Sequence, residues 1–479
     1  MTKTLTRRGF GSIAAASLLS LTGRAAGKAQ TIYDSPGLCS LFGELTEAFQ
    51  ASLTSAFSFL DTMSDAYAAG NTVRLAQSYS DQLFAPFPQV AFTYDNAVVI
   101  QAYLARGTSA DVERAAVLGN GLVHAQATNF PVADGRFAQG YYVNVPDSSG
   151  AYITPAANPF YFYGSSVGDQ SWAGMALAQL YHKTGTAAFL KAALSVGNWI
   201  VSNAYSTLGA GGYSFGTTIN PSNQSVPSTN GKSTEHNIDT YAFFTMLDTL
   251  TRGGKAANGS SWSSLAQHAL TFVQAMFNVA GGFFYTGTNA DQITISTSII
   301  PEDVQTWSYL ALQSKAYGVS LDWVKTNLVT IDTPSSPFSA LKGLGNLRVE
   351  GETYDTASLA TSGNDPEAVW LEGTAHTAAA LLSRQLPPDK DIPFFDGDLN
   401  TARKLLNNIR FAQSQLGTGQ KVNGTAIPAG KGITASTGQL DTGFGFDYFP
   451  DLHVGATGWY AIALLAANPF QLGYRSGRW

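Results

Sequence analysis

The feature that most constrains this chain is a helical alternation that runs along most of its 479 residues. Six segments, 94–105, 169–182, 235–250, 303–316, 367–382 and 453–467, carry apolar or small residues at i, i+3 and i+4, with more of them on other faces. That is the pattern of a helix buried nearly all round. Successive segments begin 64 to 86 residues apart. Between them lie more polar stretches with one apolar stripe: 110–127, where Val112, Ala116, Leu118, Leu122 and Val123 line a face, then 187–205, 261–277, 321–328 and 399–416. Short turns such as Lys183-Thr184-Gly185 join each pair. The longer returns carry Gly-aromatic runs at 211–216 and 281–285, with a looser one at 140–142, and read as short β-hairpins.

Six buried helices inside six one-sided ones predict an all-α fold: an (α/α)6 barrel, a double ring with short hairpins on its rim. The sixth outer helix, absent after 453–467, is expected from 38–69, which would close the ring from the N-terminus. Open solenoids of the HEAT or tetratricopeptide kind repeat every ~34–47 residues and do not match this interval. No linker marks a second domain, so 30–479 reads as a single catalytic domain.

Charged residues make up 13% of the chain, about half the usual share, and aromatics 12%. Disorder and coiled coils both need the reverse balance. Residues 1–29 hold Lys3, Arg7, Arg8, Arg24 and Lys28 and no acid, with Arg7-Arg8-Gly9-Phe10 ahead of an apolar run at 13–21. The run is too short to span a bilayer. It reads as a twin-arginine (Tat) signal peptide, which predicts passage through the twin-arginine translocase and a periplasmic or secreted protein off the membrane. Without that segment 22 cations face 33 acids, a net charge of about −11. Such a chain repels nucleic acid and anionic membranes. Cys39 is the only cysteine, so neither an internal disulfide nor a Cys-ligated zinc site can form.

The alternation, the Gly-Gly-aromatic returns and the acidic starts of the buried helices resemble the six-hairpin glycosidase superfamily, over roughly residues 90–470. The resemblance implies a carbohydrate substrate and a glycoside hydrolase. A polysaccharide lyase or sugar epimerase on the same barrel, and a glycan-binding protein without activity, are the alternatives. No cofactor is expected, and no metal: Asp396-Gly397-Asp398 has calcium-like letters but reads as a helix cap.

In a double ring the inner-helix starts converge at one end, and every start here holds an acid. Glycoside hydrolysis needs two carboxyl groups, one protonated and one ionised. Glu235 is the expected general acid. Asp239 shares its helix face at i+4, where like charge raises a carboxyl pKa, and His236 stands beside it. The partner carboxylate is Asp303, Glu367 or a residue of the 441–447 loop. Asp95, Glu302, Trp307, Trp370, Asp447 and His453 are expected, with His236 and Asp239, to shape the sugar subsites. Gln305 is an amide suited to sugar hydroxyls, Glu367 and Trp370 are placed on one helix face, and 158–163 is a candidate aromatic wall. Asp169 and Asp365 read as plain caps.

Overall fold

The computed structural model describes residues 46–81, 89–129, 132–155, 164–219, 224–228, 230–360, 364–385 and 396–474. The signal-peptide reading of 1–29, Cys39 and the aromatic run at 158–163 lie outside the described residues.

Twelve α-helices are described. The inner six are α2 (Thr93–Arg106), α4 (Val167–Thr184), α6 (Thr234–Thr251), α8 (Glu302–Leu312), α10 (Leu371–Gln385) and α12 (Val454–Leu464). The outer six are α1 (Thr46–Ser64), α3 (Ser109–Ala127), α5 (Ala187–Ala204), α7 (Trp262–Ala275), α9 (Val319–Asn327) and α11 (Asp396–Gln415). Each inner helix packs on the next, α12 returns to α2, and each outer helix from α3 on packs on the inner helix before it. The N-terminal α1 covers α12, so the ring closes as the sequence predicts. The fold is an (α/α)6 barrel.

Local chemistry sets the ends. Thr108 and Asp111 form a reciprocal capping box at the start of α3, and Ser166, Ser233 and Ser261 cap α4, α6 and α7. Among the inner helices, two boundaries differ from the sequence reading by four residues. Gln313 is left-handed, with φ 48°, and ends α8 four residues before the predicted 316. α10 begins at Leu371 rather than 367, because Asp365 folds the chain into a turn by accepting the Glu367 amide at 3.1 Å.

The rim follows the same six-fold rule. The residues before each inner helix pair antiparallel with the return after its outer partner: Val90–Phe92 with Gly140–Tyr142, Ser165–Ser166 with Gly216 and Thr217, and Lys232–Ser233 with Gly287–Thr288. Single bridges continue it, Pro301 with Asp355, Trp370 with Ser436 and His453 with Tyr79. A second set of bonds locks each inner helix to the preceding return. Four inner helices use an amide that grips both backbone groups of one residue: Asn96 on Ala76, Gln170 on Phe137, Asn237 on Tyr213 and Gln305 on Phe284. Thr374 and Thr457 make a single bond each to the return, their hydroxyls accepting from the Glu352 and Ile433 amides. The Gly-aromatic returns are therefore fastened to the ring, and Gln305 is spent on backbone rather than free for a sugar. Replacing Gln305 with the apolar, similarly sized Met orphans Phe284 N–H and Phe284 C=O. A loss of about 2–4 kcal/mol is expected. Thermal denaturation reads it, and a melting point within about 1 °C of wild type would refute the latch.

At the axis the ring is plugged by tryptophans from alternate inner helices. Trp172 lies 5.1 Å from Trp307 and 5.8 Å from Trp459, ring centre to ring centre, and Trp307 stacks on Trp459 at 5.9 Å. No described helix is long and apolar enough to cross a membrane.

Candidate active site

The inner-helix starts do converge at one end, but only half of that end is open. A cleft of about 730 Å³ is lined from α2 through α8 by Tyr94, Asp169, Trp172, Glu235, His236 and Asp303, with Phe215, Tyr354, Phe444 and Phe446 as aromatic walls. Asp169, Glu235 and Asp303 come from three consecutive inner helices. Trp172 puts one edge of the axial plug in the floor.

Their environments separate these carboxyls. Burial first, then the nearby charges of Asp303, Asp169 and Glu372, push Glu235 well above the usual carboxylate range. Burial and Glu302 raise Asp303 to about 7, against the opposing pull of the protonated His376. Burial raises Asp169 to about 7 as well, although the Ser166 hydroxyl donates to it at 2.7 Å. Asp169 is thus more than a cap: Ser166 caps the helix, and the Asp169 carboxyl faces the cleft. The usable signal was its place one inner helix before Glu235 in the ring.

The cleft carries little positive charge. Lys232 lines it, but its Nζ donates to the Leu208 and Gly211 carbonyls at 2.6 and 2.7 Å, and burial lowers it to about 8. Burial lowers His236 to about 3, so the ring is neutral, and it packs 4.5 Å from Phe215.

The other half of the end is filled by a buried charge network. His453 Nε2 lies 3.1 Å from both Asp95 oxygens, and its Nδ1 lies 3.4 Å from Glu372. His376 lies between Glu372, at 3.6 Å, and Glu302, at 3.2 Å. Thr377 donates to Glu302 at 2.8 Å. The Tyr94 hydroxyl donates to Glu372 and accepts from the Trp459 indole, which ties the network to the cleft wall. Burial opposes charge on Glu372, yet His376 and His453 hold its carboxyl below the usual range. Burial also opposes charge on His376, but Glu302 and Glu372 raise it to about 9. Tyr79 lies flat on His453 at 4.1 Å. Gly455 makes this packing possible: a Cβ there would stand 2.6 Å from His453 and 2.8 Å from Asp95 and from Glu372.

This arrangement places the sequence candidates. Glu235, His236 and Asp303 line the cleft. Asp95, Glu302 and His453 do not line it; they are buried ion-pair partners beneath it. Asp239 is fully buried one turn below Glu235, with the Trp172 indole against it but no hydrogen bond of normal geometry, and burial and Glu235 push its carboxyl well up, so it is neutral. Trp307 belongs to the axial plug, and Trp370 stacks on Tyr448 behind the wall, so neither has a face for a sugar. Asp447 sits at the base of its loop, paired with Asp441 and accepting from Gln439 at 2.7 Å, while Phe444 and Phe446 at the tip reach the cleft. Glu367 is exposed, precedes α10 and is not among the cleft residues. Sequence reasoning passed over Tyr94, Asp169, Trp172, Phe215 and Tyr354.

The sequence matches no protein-family model and no curated protein. Among solved structures, a glycosidase variant in complex with glucose is similar to the chain at TM-score 0.54 and 11% identity, over 89% of this chain and 98% of that one. A family 76 glycoside hydrolase from a bovine Bacteroides thetaiotaomicron strain is similar at TM-score 0.53 and 12% identity, over 87% and 77% of the two chains. A family 76 α-mannanase from Bacteroides thetaiotaomicron is similar at TM-score 0.53 and 13% identity, over 89% and 98%. At these identities the likeness is one of fold.

Proposed function

We propose that the chain is an exported glycoside hydrolase that cleaves neutral poly- or oligosaccharides, with Glu235 as general acid and Asp303 as the partner carboxylate. The observation that carries this reading is the trio of Asp169, Glu235 and Asp303 in one aromatic-walled cleft with no free cation among its described residues. The leaving oxygen of a glycosidic bond needs a proton at the moment the bond breaks. Glu235 holds one, since burial and like charge keep it protonated. Asp303 ionises more readily, being nearer the protonated His376, and serves as base or nucleophile at the anomeric centre. Asp169 is a third carboxyl suited to fixing a hydroxyl. Phe215, Tyr354, Phe444 and Phe446 offer ring faces to the apolar sides of sugars. A lyase acting on a uronate would need a cation beside the carboxylate, and both Lys232 and His236 are out of that role.

The similar structures include an α-mannanase and a glycosidase that binds glucose, so α-mannans and glucans head the substrate panel. Mass spectrometry of products is the test. Fragments that have gained one water are expected, and unsaturated fragments without added water would replace hydrolase with lyase. Export rests on Arg7-Arg8-Gly9-Phe10 and the apolar run behind it. Changing both arginines to lysine is expected to leave the chain unprocessed in the cytoplasm, and unchanged secretion would overturn the twin-arginine route.

A further inference from the structure

Glu367, set aside from the cleft, has company elsewhere. Two separate chain segments bring Asp332, Asp365 and Glu367 together, with one carboxylate oxygen of each within 4.8 Å of the others. Asp332 ends the strand Val329–Asp332, Asp365 and Glu367 form the turn before α10, and the return through Thr437 and Gly438 closes the third side. Asp332 is fully buried and Asp365 is 1% exposed. Neither oxygen of Asp332, and not Oδ2 of Asp365, has a hydrogen bond of normal geometry, although the Thr437 and Ser339 hydroxyls and the Thr333 amide lie against the first and the Ser336 hydroxyl against the second. Oδ1 of Asp365 is taken by the Glu367 amide, so Oδ2 is the oxygen left over.

Two buried carboxyls facing each other without a cation are costly, because each loses its hydration and gains a like charge. Space has nevertheless been kept for this geometry. At Gly438 a Cβ would stand 2.6 Å from Asp365 Oδ2, so any other residue would displace that carboxyl. All candidate ligands are oxygens, three of them carboxylates. Hard divalent cations take such sets, and calcium accepts about 6–8 oxygens in flexible geometry, whereas magnesium demands a near-ideal octahedron and keeps several waters. Thr437, Ser339 and Ser336 can supply neutral oxygens.

We infer that Asp332, Asp365 and Glu367 form a calcium-class cation site that ties the 329–332 strand and the turn before α10 to the 436–439 return. It lies outside the cleft lining and its role is structural. It does not depend on the hydrolase reading.

The test is calorimetric titration of CaCl2 into the full mature chain after EDTA treatment, with thermal denaturation alongside. One calcium per chain and a rise in melting point of roughly 3 °C are expected. Asp332→Asn should abolish both. Should that variant not fold, Glu367→Gln, at an exposed position, should weaken calcium at least ~10-fold. MgCl2 should bind at least ~10-fold more weakly than CaCl2. Absence of stoichiometric calcium, or calcium binding unchanged in Glu367→Gln and Asp332→Asn, would overturn the site. Equal affinity for magnesium would overturn its calcium class.

Discussion

Glu235→Gln is expected to lower turnover of the cleaved glycan by ~10³-fold or more while the protein folds as before. The loss follows from the proton, since a general acid contributes typically ~10²–10⁴-fold and an amide has none to give. The intact fold follows from charge. Glu235 is held protonated by burial and by Asp303 and Asp169, so the neutral, nearly isosteric amide removes no ion pair. Its melting point should match or exceed that of wild type. Steady-state rates and circular dichroism read the two halves separately. Activity within about tenfold of wild type would take the acid role from Glu235 and pass it to Asp169, the other cleft carboxyl that burial raises and no histidine charge draws toward ionisation. A collapse of fold and activity together would show that Glu235 is structural.

The largest stability loss is expected from His376→Leu. This histidine is fully buried between Glu302 and Glu372, and its imidazolium keeps both carboxylates from being unpaired charges. Removing one partner of such a pair costs about 3–5 kcal/mol, because the remaining charge stays buried. Thr377 still donates to Glu302, and Tyr94 to Glu372, so the lower part of that range is the more exposed to test. Differential scanning calorimetry should show a melting point lower by roughly 5–10 °C. A drop below about 1 °C would mean that the carboxyls are neutral in the wild type. The same histidine gives the wild type a pH dependence. Its folded value of about 9 lies above the ordinary 6.5. Its stabilisation is therefore complete below about 6.5 and is lost as pH rises through about 9. Wild-type melting points should fall across that window.

Both experiments turn on pairings that no local pattern announces. The Glu235-His236 dipeptide was conspicuous at a helix start, and so was Glu302-Asp303, because acids are rare in this chain and helix starts converge in a closed ring. Which of those acids face ligand is another matter. Glu302 and Asp303 are neighbours in sequence, yet one turns to His376 and Thr377 under the floor and the other into the cleft. A single residue step on a helix rotates a side chain by about 100°, and the sequence does not say where the ring's axis lies. Trp307 and Trp370 failed as sugar platforms for a related reason. A tryptophan's fitness for stacking depends on an open face, and here the faces are covered by Trp459 and Tyr448.

What the sequence determined by itself was periodicity and its consequences: six all-round apolar helices, five one-sided ones, an N-terminal helix to complete the outer ring, and acids gathered at one end. These are properties of residues within a few turns of one another, so they survive reading in one dimension. Only the tertiary structure decided which half of that end is open. The closing contacts join Asp95 to His453, Tyr94 to Trp459 and Glu302 to His376, at separations of 358, 365 and 74 residues. Burial in that half demands a counter-charge for every acid, and three carboxylates there found two histidines. The acids left without one include Asp169, Glu235 and Asp303, which line the cleft, and Asp239, which stays neutral beneath it.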